Sequence, residues 1–314
     1  ELDREFDRAV EGLRGRLGQT FPARLGYREI EGGGVLENRN PADTRMVLSL
    51  HHQTPAARVD AIMQLAHERQ RDWRRRPGEE RGRLLLQVAE RFRGRQFELA
   101  AAMTLEVGKN RLEALGEVQE CVDMIHYYVD QYAQNRGYAQ KMGALSPGEQ
   151  TLSILKPYGV FVVIEPFNFP LALAVGALAA ALVTGNTAVF KLASATPWSA
   201  QNLLECFREG GIPEGVVQMV VTGATISGSG SYPRRRSNSV HRWLKSALNA
   251  SSSVSIAGGV AASARCSTEM AALEVTFRSS RHRPPSMSTP RPSSVAQAAS
   301  SIARARRNTS TPGL

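Results

Sequence analysis

Alternating apolar stretches in the middle of the chain constrain its fold more than any other feature. Residues 160–164 are β-branched and aromatic, which favours a buried strand. The apolar run 171–183 suits a core helix that stops at Gly185. Strand-like runs recur at 187–191 and 215–221, with a second helical pattern between them. The order strand, helix, strand, helix, strand predicts an α/β fold with a parallel, doubly wound sheet.

The second of these helices has clear start and stop signals. Thr196 followed by Pro197 predicts a threonine N-cap with proline in the first helical position. Gly210 and Gly211, with Pro213 beyond them, predict the end of the helix and the return of the chain to the sheet.

Residues 1–150 carry mainly helical patterns. Apolar residues recur at helical spacing from Val59 to Trp73, from Leu84 to Phe92, and again from Leu112 to Tyr132. We therefore predict three regions: an N-terminal helical part over 1–150, a dinucleotide-binding βαβαβ segment over 151–224, and a basic, disordered tail over 225–314.

The net charge of +10 raises the question of a polyanionic partner, so its location matters. Residues 225–314 hold 13 Lys and Arg against two acids, whereas the first 224 residues hold 26 basic and 27 acidic groups. The globular part is therefore nearly neutral, and a nucleic-acid partner is not expected for it.

Cysteine usage and hydropathy favour a cytoplasmic setting without a membrane span. The three cysteines form neither a disulfide framework nor a zinc pattern, and we expect no metal. The apolar run 171–183 is shorter than the roughly 20 residues that a bilayer span needs. The chain opens at Glu1 with no Met and no secretory leader, which suggests a fragment.

Several motifs resemble those of the aldehyde dehydrogenase superfamily. The most specific are Pro-Phe-Asn-Phe-Pro at 166–170, Gly-Asn-Thr at 185–187 and Phe-Lys at 190–191, with supporting matches across 38–223. The segment 106–110 and the tyrosines 127–128 look most like the branch that oxidises glutamate γ-semialdehyde, formed from Δ1-pyrroline-5-carboxylate, to glutamate. The resemblance implies an NAD- or NADP-dependent oxidoreductase acting on a small aldehyde. It also implies a homo-oligomer for the intact family, which is doubtful for this chain.

The resemblance gives Asn168 a catalytic role. Its side-chain amide is expected to donate to the oxyanion that forms when a thiolate attacks the aldehyde, as preorganised donors do elsewhere. Its place after a parallel strand is where open α/β sheets bind ligands. From spacing alone, Asn168 could equally cap the helix that follows.

The remaining implied site residues lie on the same loop or after the next strand. Phe169 is expected to pack on the aliphatic part of the aldehyde, and Lys191 to bind the adenosine ribose unless it only marks a strand end. A neutral Ser194 stands where NAD-preferring members carry a glutamate, so NAD or NADP is acceptable. The expected cofactor-binding residues are Ile164, Pro166, Phe167, Lys191 and Ser194.

The resemblance ends after Gly223. Thr225 replaces the second glycine of the family pattern, and the later general-base and nucleophile motifs do not follow. Neither Cys266 nor Glu269 has the flanking glycines that the family places beside its thiol and its base. A truncated chain with impaired catalysis is therefore expected.

The tail over 225–314 is rich in Ser, Arg, Ala and Pro, a composition that buries little apolar surface. Our hypothesis is that a shifted reading frame in a GC-rich gene produced this composition. Two alternatives stay open: a cofactor-binding remnant without catalysis, and a protein that binds polyanions through a genuine basic tail.

Overall fold

The computed structural model describes residues 1–222 and the strand at 254–258. These residues form seven α-helices: Leu2–Arg14 (α1), Val59–Trp73 (α2), Gly78–Gly94 (α3), Gln96–Val107 (α4), Arg111–Gln134 (α5), Ala172–Val183 (α6) and Pro197–Glu209 (α7). They also form eleven strands: Gln19–Phe21 (β1), Ala23–Leu25 (β2), Arg28–Ile30 (β3), Val35–Arg39 (β4), Val47–His52 (β5), Ala139–Lys141 (β6), Leu152–Ile154 (β7), Val160–Ile164 (β8), Thr187–Lys191 (β9), Val217–Val220 (β10) and Val254–Gly258 (β11). Short 3-10 helices occupy Ala56–Arg58 and Arg136–Tyr138.

The main sheet has four parallel strands in the order β10-β9-β8-β11. Strands β8, β9 and β10 and the helices α6 and α7 between them lie where the sequence pattern places them, so the predicted α/β class is confirmed. The sequence pattern did not predict β11, which pairs with β8 along its whole length, from Val254 opposite Val160 to Gly258 opposite Ile164. Apart from this strand, the predictions for 225–314 lie outside the described residues.

Helix α6 forms the centre of the core. Its sequence is apolar on every side, and such a helix is stable only when it is buried all round. It packs against α3 and α5 and against strands β8 and β9. Leu178 and Leu182 on α6 are fully buried, as are Phe190 on β9 and Trp198 on α7.

The carbonyl groups at the end of α6 are bound by side chains from α2 and α3. Trp73 Nε1 donates to the carbonyl of Leu182 at 2.9 Å, and Arg81 Nε donates to that of Val183 at 3.0 Å. These are among the last carbonyls of the helix, which find no partner within it. The N-terminal helices therefore complete the hydrogen bonding of the central helix.

The N-terminal part contains strands that the sequence pattern did not predict. Strands β1, β5 and β4 form one small sheet, and β2 pairs with β3. In β5 the side chains of Ser49 and His51 are buried although they are polar. The alternation of apolar and polar residues that marks a half-buried strand is therefore absent from its sequence. A further antiparallel pair, β6 with β7, bridges residue 150, where we predicted a boundary.

Within the described ranges, no helix combines the length and hydropathy that a membrane crossing requires.

The two glycines after α7 have different roles. Gly211 adopts φ +85°, a left-handed conformation that ends the helix. Gly210 has an ordinary φ of −75°, but a Cβ there would lie 2.5 Å from Val88 Cγ2 and 2.8 Å from Val88 Cα on α3. Gly210 therefore permits the close approach of α7 to α3.

Gly210→Ala is expected to destabilise the fold by about 2 kcal/mol, because the added methyl group overpacks the contact between the two helices. Urea unfolding measures the loss. Gly116→Ala is the matched control, since Gly116 lies in α5 with no atom within 4 Å of an added Cβ. It is expected to stabilise the helix by roughly 0.5 to 1 kcal/mol. Equal effects of the two substitutions would contradict the packing argument.

Candidate functional site

The expected site residues meet at the carboxyl edge of the main sheet. Strand β8 ends at Ile164 and β9 ends at Lys191, and these two residues pair in register. The chain leaves β8 towards β9, whereas β11 lies on the other side of β8. This edge of β8 is therefore a switch point of the topology, the place where open α/β sheets bind ligands. The loop over 165–170 emerges there.

The loop presents three exposed side chains in sequence. Phe167 is 60% exposed and Phe169 is 41% exposed, and Asn168 between them is also exposed. Among the described residues, Asn168 makes no hydrogen bond, and it does not cap the helix that follows it. The amides of Leu171 and Ala172 at the start of α6 are bound by Glu117 Oε1 instead, at 2.8 and 3.2 Å. The capping interpretation of Asn168 is therefore wrong, and its amide is free to bind a ligand.

Lys191 is the last residue of β9, and Ser194 follows it on the turn before α7. Both are half-buried, and Lys191 Nζ donates to the carbonyl of Leu192 at 3.0 Å. Burial lowers the pKa of the Lys191 ammonium, and the neighbouring carboxyl of Glu165 opposes that change. The ammonium is thus held at the strand end with part of its hydration removed.

Glu165, the first residue after β8, hydrogen bonds to Lys191 and Thr196 and so connects the loop after β8 to the segment after β9. Its amide donates to the carbonyl of Lys191 at 3.1 Å, and its Oε1 accepts from the Thr196 hydroxyl at 3.3 Å. Its Oε2 is buried and has no hydrogen-bond partner in the described part of the chain. Burial first, and then the nearby carboxylate of Glu106, raise the pKa of Glu165 well above its usual value. The side chain is a buried acid that links β8 to the turn before α7.

Thr196 and Pro197 occupy the N-cap and first-turn positions of α7 as predicted, but the threonine side chain does not cap the helix. The Thr196 hydroxyl donates to Glu165 and makes no cap hydrogen bond to the helix. A carboxylate from α4 takes this role, since Glu106 accepts from the amides of Trp198 and Ser199 at 2.8 and 2.9 Å.

Glu106 is a buried carboxyl group whose two oxygens both accept hydrogen bonds. The Ser199 hydroxyl and the Asn38 side-chain amide also donate to it, which brings its donors to four. Burial raises the pKa of Glu106 to about 7, while these hydrogen bonds act in the opposite direction. Sequence reasoning used Glu106 only as part of a motif. The available signal in the sequence was an acid near the end of a helix, three residues after the apolar, buried run 99–103.

Neither of the described cysteines is suited to attack an aldehyde. Cys121 and Cys206 are both buried. Burial raises the pKa of the Cys206 thiol to about 12 and that of Cys121 well above its usual value. Reactive cysteines instead have depressed pKa values. Cys266 and Glu269, considered above as nucleophile and base, lie outside the described residues.

An open parallel sheet with a ligand loop at its switch point is the arrangement of doubly wound domains that bind dinucleotides. Comparison with known proteins shows which family of dinucleotide-binding proteins this is. The model of the aldehyde dehydrogenase family matches residues 27–229. The chain belongs to the aldehyde dehydrogenase family, and the match ends close to Gly223, where the sequence motifs end.

Relatives in this family include enzymes named for semialdehydes or their cyclic form. A 1-pyrroline-5-carboxylate dehydrogenase of Staphylococcus saprophyticus is 33% identical over 223 residues, 68% of this chain and 41% of that protein. An alpha-ketoglutarate semialdehyde dehydrogenase of Haloferax volcanii is 35% identical over 199 residues, 63% of this chain and 41% of that protein. The chain thus spans about two fifths of the length of these relatives.

Solved structures agree with the family. A Thermus 1-pyrroline-5-carboxylate dehydrogenase with bound NAD has a TM-score of 0.67 and 31% identity, over 70% of this chain and 43% of that one. An NADP-dependent glyceraldehyde-3-phosphate dehydrogenase of Bacillus halodurans, solved with NADP, has a TM-score of 0.60 and 30% identity, over 66% of this chain and 44% of that one. The predicted family and the predicted aldehyde-dehydrogenase-like fold are confirmed.

The raised pKa of Glu106 makes a testable contribution to stability. The folded protein holds a proton on Glu106 up to about pH 7, whereas the unfolded chain releases it near its ordinary pKa of 4.5. Stability is therefore expected to fall as the pH rises from about 4.5 to 7, by about 3 kcal/mol from this group.

Glu106→Gln is expected to remove this part of the fall, because its amide does not titrate. Its stability is lower at all pH values, since an NH₂ group replaces one acceptor oxygen. Urea unfolding between pH 5 and 8 measures the slope, with the exposed Glu113→Gln on α5 as the control. An unchanged slope in Glu106→Gln would show that Glu106 does not hold the proton.

Proposed function

We propose that this chain carries the cofactor-binding part of an NAD(P)-dependent aldehyde dehydrogenase whose reaction oxidises glutamate γ-semialdehyde to glutamate. The observation that carries the proposal is the exposed amide of Asn168 on the loop that leaves β8, whose last residue pairs with the half-buried Lys191 at the end of β9. We include in the proposal a reducing, cytoplasmic setting, which suits the free thiols Cys121 and Cys206.

Support for the substrate class comes from the relatives and from the loop. The names of the matched relatives include 1-pyrroline-5-carboxylate and alpha-ketoglutarate semialdehyde dehydrogenases, and both names denote small compounds that carry a carboxyl group. Phe169 leaves 41% of its surface exposed next to Asn168, and an aliphatic chain can pack against that ring.

The donor set fits a dinucleotide. Lys191 offers an ammonium and Ser194 a hydroxyl for the ribose of the adenosine half, and Ile164, Pro166 and Phe167 line the edge of β8. The only acid on these two loops, Glu165, is buried. No carboxylate thus faces a 2′-phosphate from this part of the chain, which suits NADP as well as NAD.

When bound, NAD(P)+ accepts the hydride that leaves the aldehyde carbon. In the proposal, the Asn168 amide donates to the carbonyl oxygen as negative charge develops on it, a contribution often worth about 10²–10³ in rate. Phe169 holds the substrate chain, and Lys191 and Ser194 orient the cofactor.

The proposal also includes impaired catalysis. The two described thiols are buried and protonated near neutral pH, so neither can form a thiohemiacetal. A nucleophile has to come from elsewhere in the chain. Spectrophotometric assay of NAD(P)H formation from glutamate γ-semialdehyde tests this, with Cys266→Ala as the control. Turnover that disappears in Cys266→Ala would refute impaired catalysis and identify the nucleophile.

Loss of the Lys191 ammonium is expected to weaken dinucleotide binding. Lys191→Met keeps the length of the side chain but removes a charge-assisted hydrogen bond, so the Kd for NAD+ is expected to rise at least about tenfold. Isothermal titration of the full chain measures it. Lys156→Met, which changes an exposed lysine outside the edge, is the control and is expected to leave the Kd unchanged. Equal affinities in all three proteins would contradict the assigned role.

A carboxylate at position 194 is expected to discriminate against NADP+. In Ser194→Glu, the new charge repels the 2′-phosphate, and the Kd for NADP+ is expected to rise at least about tenfold relative to NAD+. Ser194→Gln, which has a similar size without the charge, is expected to preserve the original ratio. A constant ratio of the two Kd values across the three proteins would place the adenosine ribose away from residue 194.

A further inference from the structure

A largely buried lysine, Lys109, contacts the loop of the proposed site through the ring of Phe169. The Nζ atom of Lys109 lies 3.8 Å from the centroid of the Phe169 ring, over its face. The same ammonium forms a close ion pair with Glu117 Oε2. The Lys109 side chain is 12% exposed and that of Glu117 is fully buried. The ammonium is therefore shared between one carboxylate and one aromatic face.

The other oxygen of Glu117 holds the end of the loop. Glu117 Oε1 accepts from the amides of Leu171 and Ala172, where α6 begins. One lysine and one glutamate thus bind two consecutive points of the chain, the ring of Phe169 and the first turn of α6. Asn168 lies immediately before the first of these points.

Lys109 itself stands on a rigid support. The preceding Gly108 closes α4 in a left-handed conformation with φ +72°, and its amide donates to the carbonyl of Thr104. The following Asn110 caps α5, and its Oδ1 accepts from the amide of Glu113 at 2.9 Å. Because both neighbours are fixed by helix ends, the position of Lys109 is set by the two helices.

Helix capping alone does not explain the lysine. Glu117 satisfies the amides of α6 without help, and removing an ammonium from water is unfavourable unless its new contacts compensate. The additional contact that Lys109 gains is the face of Phe169, a residue that stays 41% exposed. The arrangement therefore fixes the ring of an exposed aromatic residue.

We infer that Lys109 and Glu117 are positioning residues that fix the loop over 166–170, so that Asn168 and the free face of Phe169 are presented to the aldehyde. This inference rests on the proposed function, which assigns the substrate contacts to Asn168 and Phe169. Lys109 covers one face of the ring, so the aliphatic chain of the substrate meets the opposite face.

Local hydrogen exchange of the full chain, followed by mass spectrometry, tests the inference. In Lys109→Met, exchange of the amides over 167–172 is expected to accelerate at least about tenfold, while the buried part of α3 exchanges as before. Lys109→Arg keeps a cation beside the ring and is expected to restore most of the protection. Lys141→Met, a lysine on β6 away from the loop, is the control and is expected to change nothing there.

Phe169→Leu is a second, independent test, because it removes the ring that Lys109 contacts. The variant is expected to fold, since position 169 is partly exposed. It should accelerate exchange over 167–172 like Lys109→Met, and the double variant should add little to either single one. Unchanged exchange in this segment, or equal acceleration throughout the chain, would overturn the inference.

The Kd for NAD+, measured on the same proteins, separates the inference from the proposed function. A local acceleration in Lys109→Met together with a weakened Kd, both reversed in Lys109→Arg, would support the two together. Absence of NAD+ binding by the unmodified chain would overturn the proposed function alone, since the exchange measurement needs no ligand.

Discussion

Two buried carboxylates from the N-terminal helices cap the two helices of the central sheet, and the candidate site depends on this interaction. Glu106 on α4 binds the first amides of α7, and Glu117 on α5 binds those of α6. Neither α6 nor α7 has a side-chain cap of its own at its N-cap residue. Four amides at the start of each helix have no partner within it, so a buried start without such carboxylates would be strongly unfavourable.

Because of these caps, the predicted regions 1–150 and 151–224 are not structurally independent. The helices of 1–150 complete both ends of α6: Trp73 and Arg81 bind its last carbonyls, and Glu117 binds its first amides. The segment 151–224 carries the loops that would meet cofactor and substrate, but the starting points of its helices are set by the preceding residues. The two regions are separate in sequence and interdependent in hydrogen bonding.

The same two side chains restrict where the pyrophosphate of a dinucleotide can bind. In many doubly wound domains the pyrophosphate sits on the amides of a helix N-terminus, where the helix dipole favours an anion. Here Glu106 and Glu117 already bind the leading amides of α7 and α6, so these amides are not available to a pyrophosphate. Attraction for an anionic cofactor therefore has to come from side chains. Lys191 is a suitable candidate, because it lies at the carboxyl edge of the sheet.

Local sequence patterns predicted the elements whose own residues are mainly apolar. The strands at 160–164 and 187–191 and the core helix between them are of this kind, so their type and order could be predicted. Strand β5 escaped prediction because Ser49 and His51 are buried in it, where their hydroxyl and ring nitrogen hydrogen bond to each other at 2.9 Å. Strand β11 escaped because its serine and glycine are weak strand formers within a polar, Ser-rich segment.

The cap of α7 shows why part of the site could not be predicted. Thr196 and Pro197 form a proper local start signal, yet the threonine hydroxyl donates to Glu165 and the cap comes from Glu106, which is 92 residues away from Trp198. Lys109 likewise reaches Phe169 only through the packing of α5 on α6. A short motif predicts which residues line a loop, whereas the orientation of that loop is set by distant charges. For an oxyanion donor such as the proposed Asn168, orientation decides the rate, because a donor stabilises developing charge only when it already points at it.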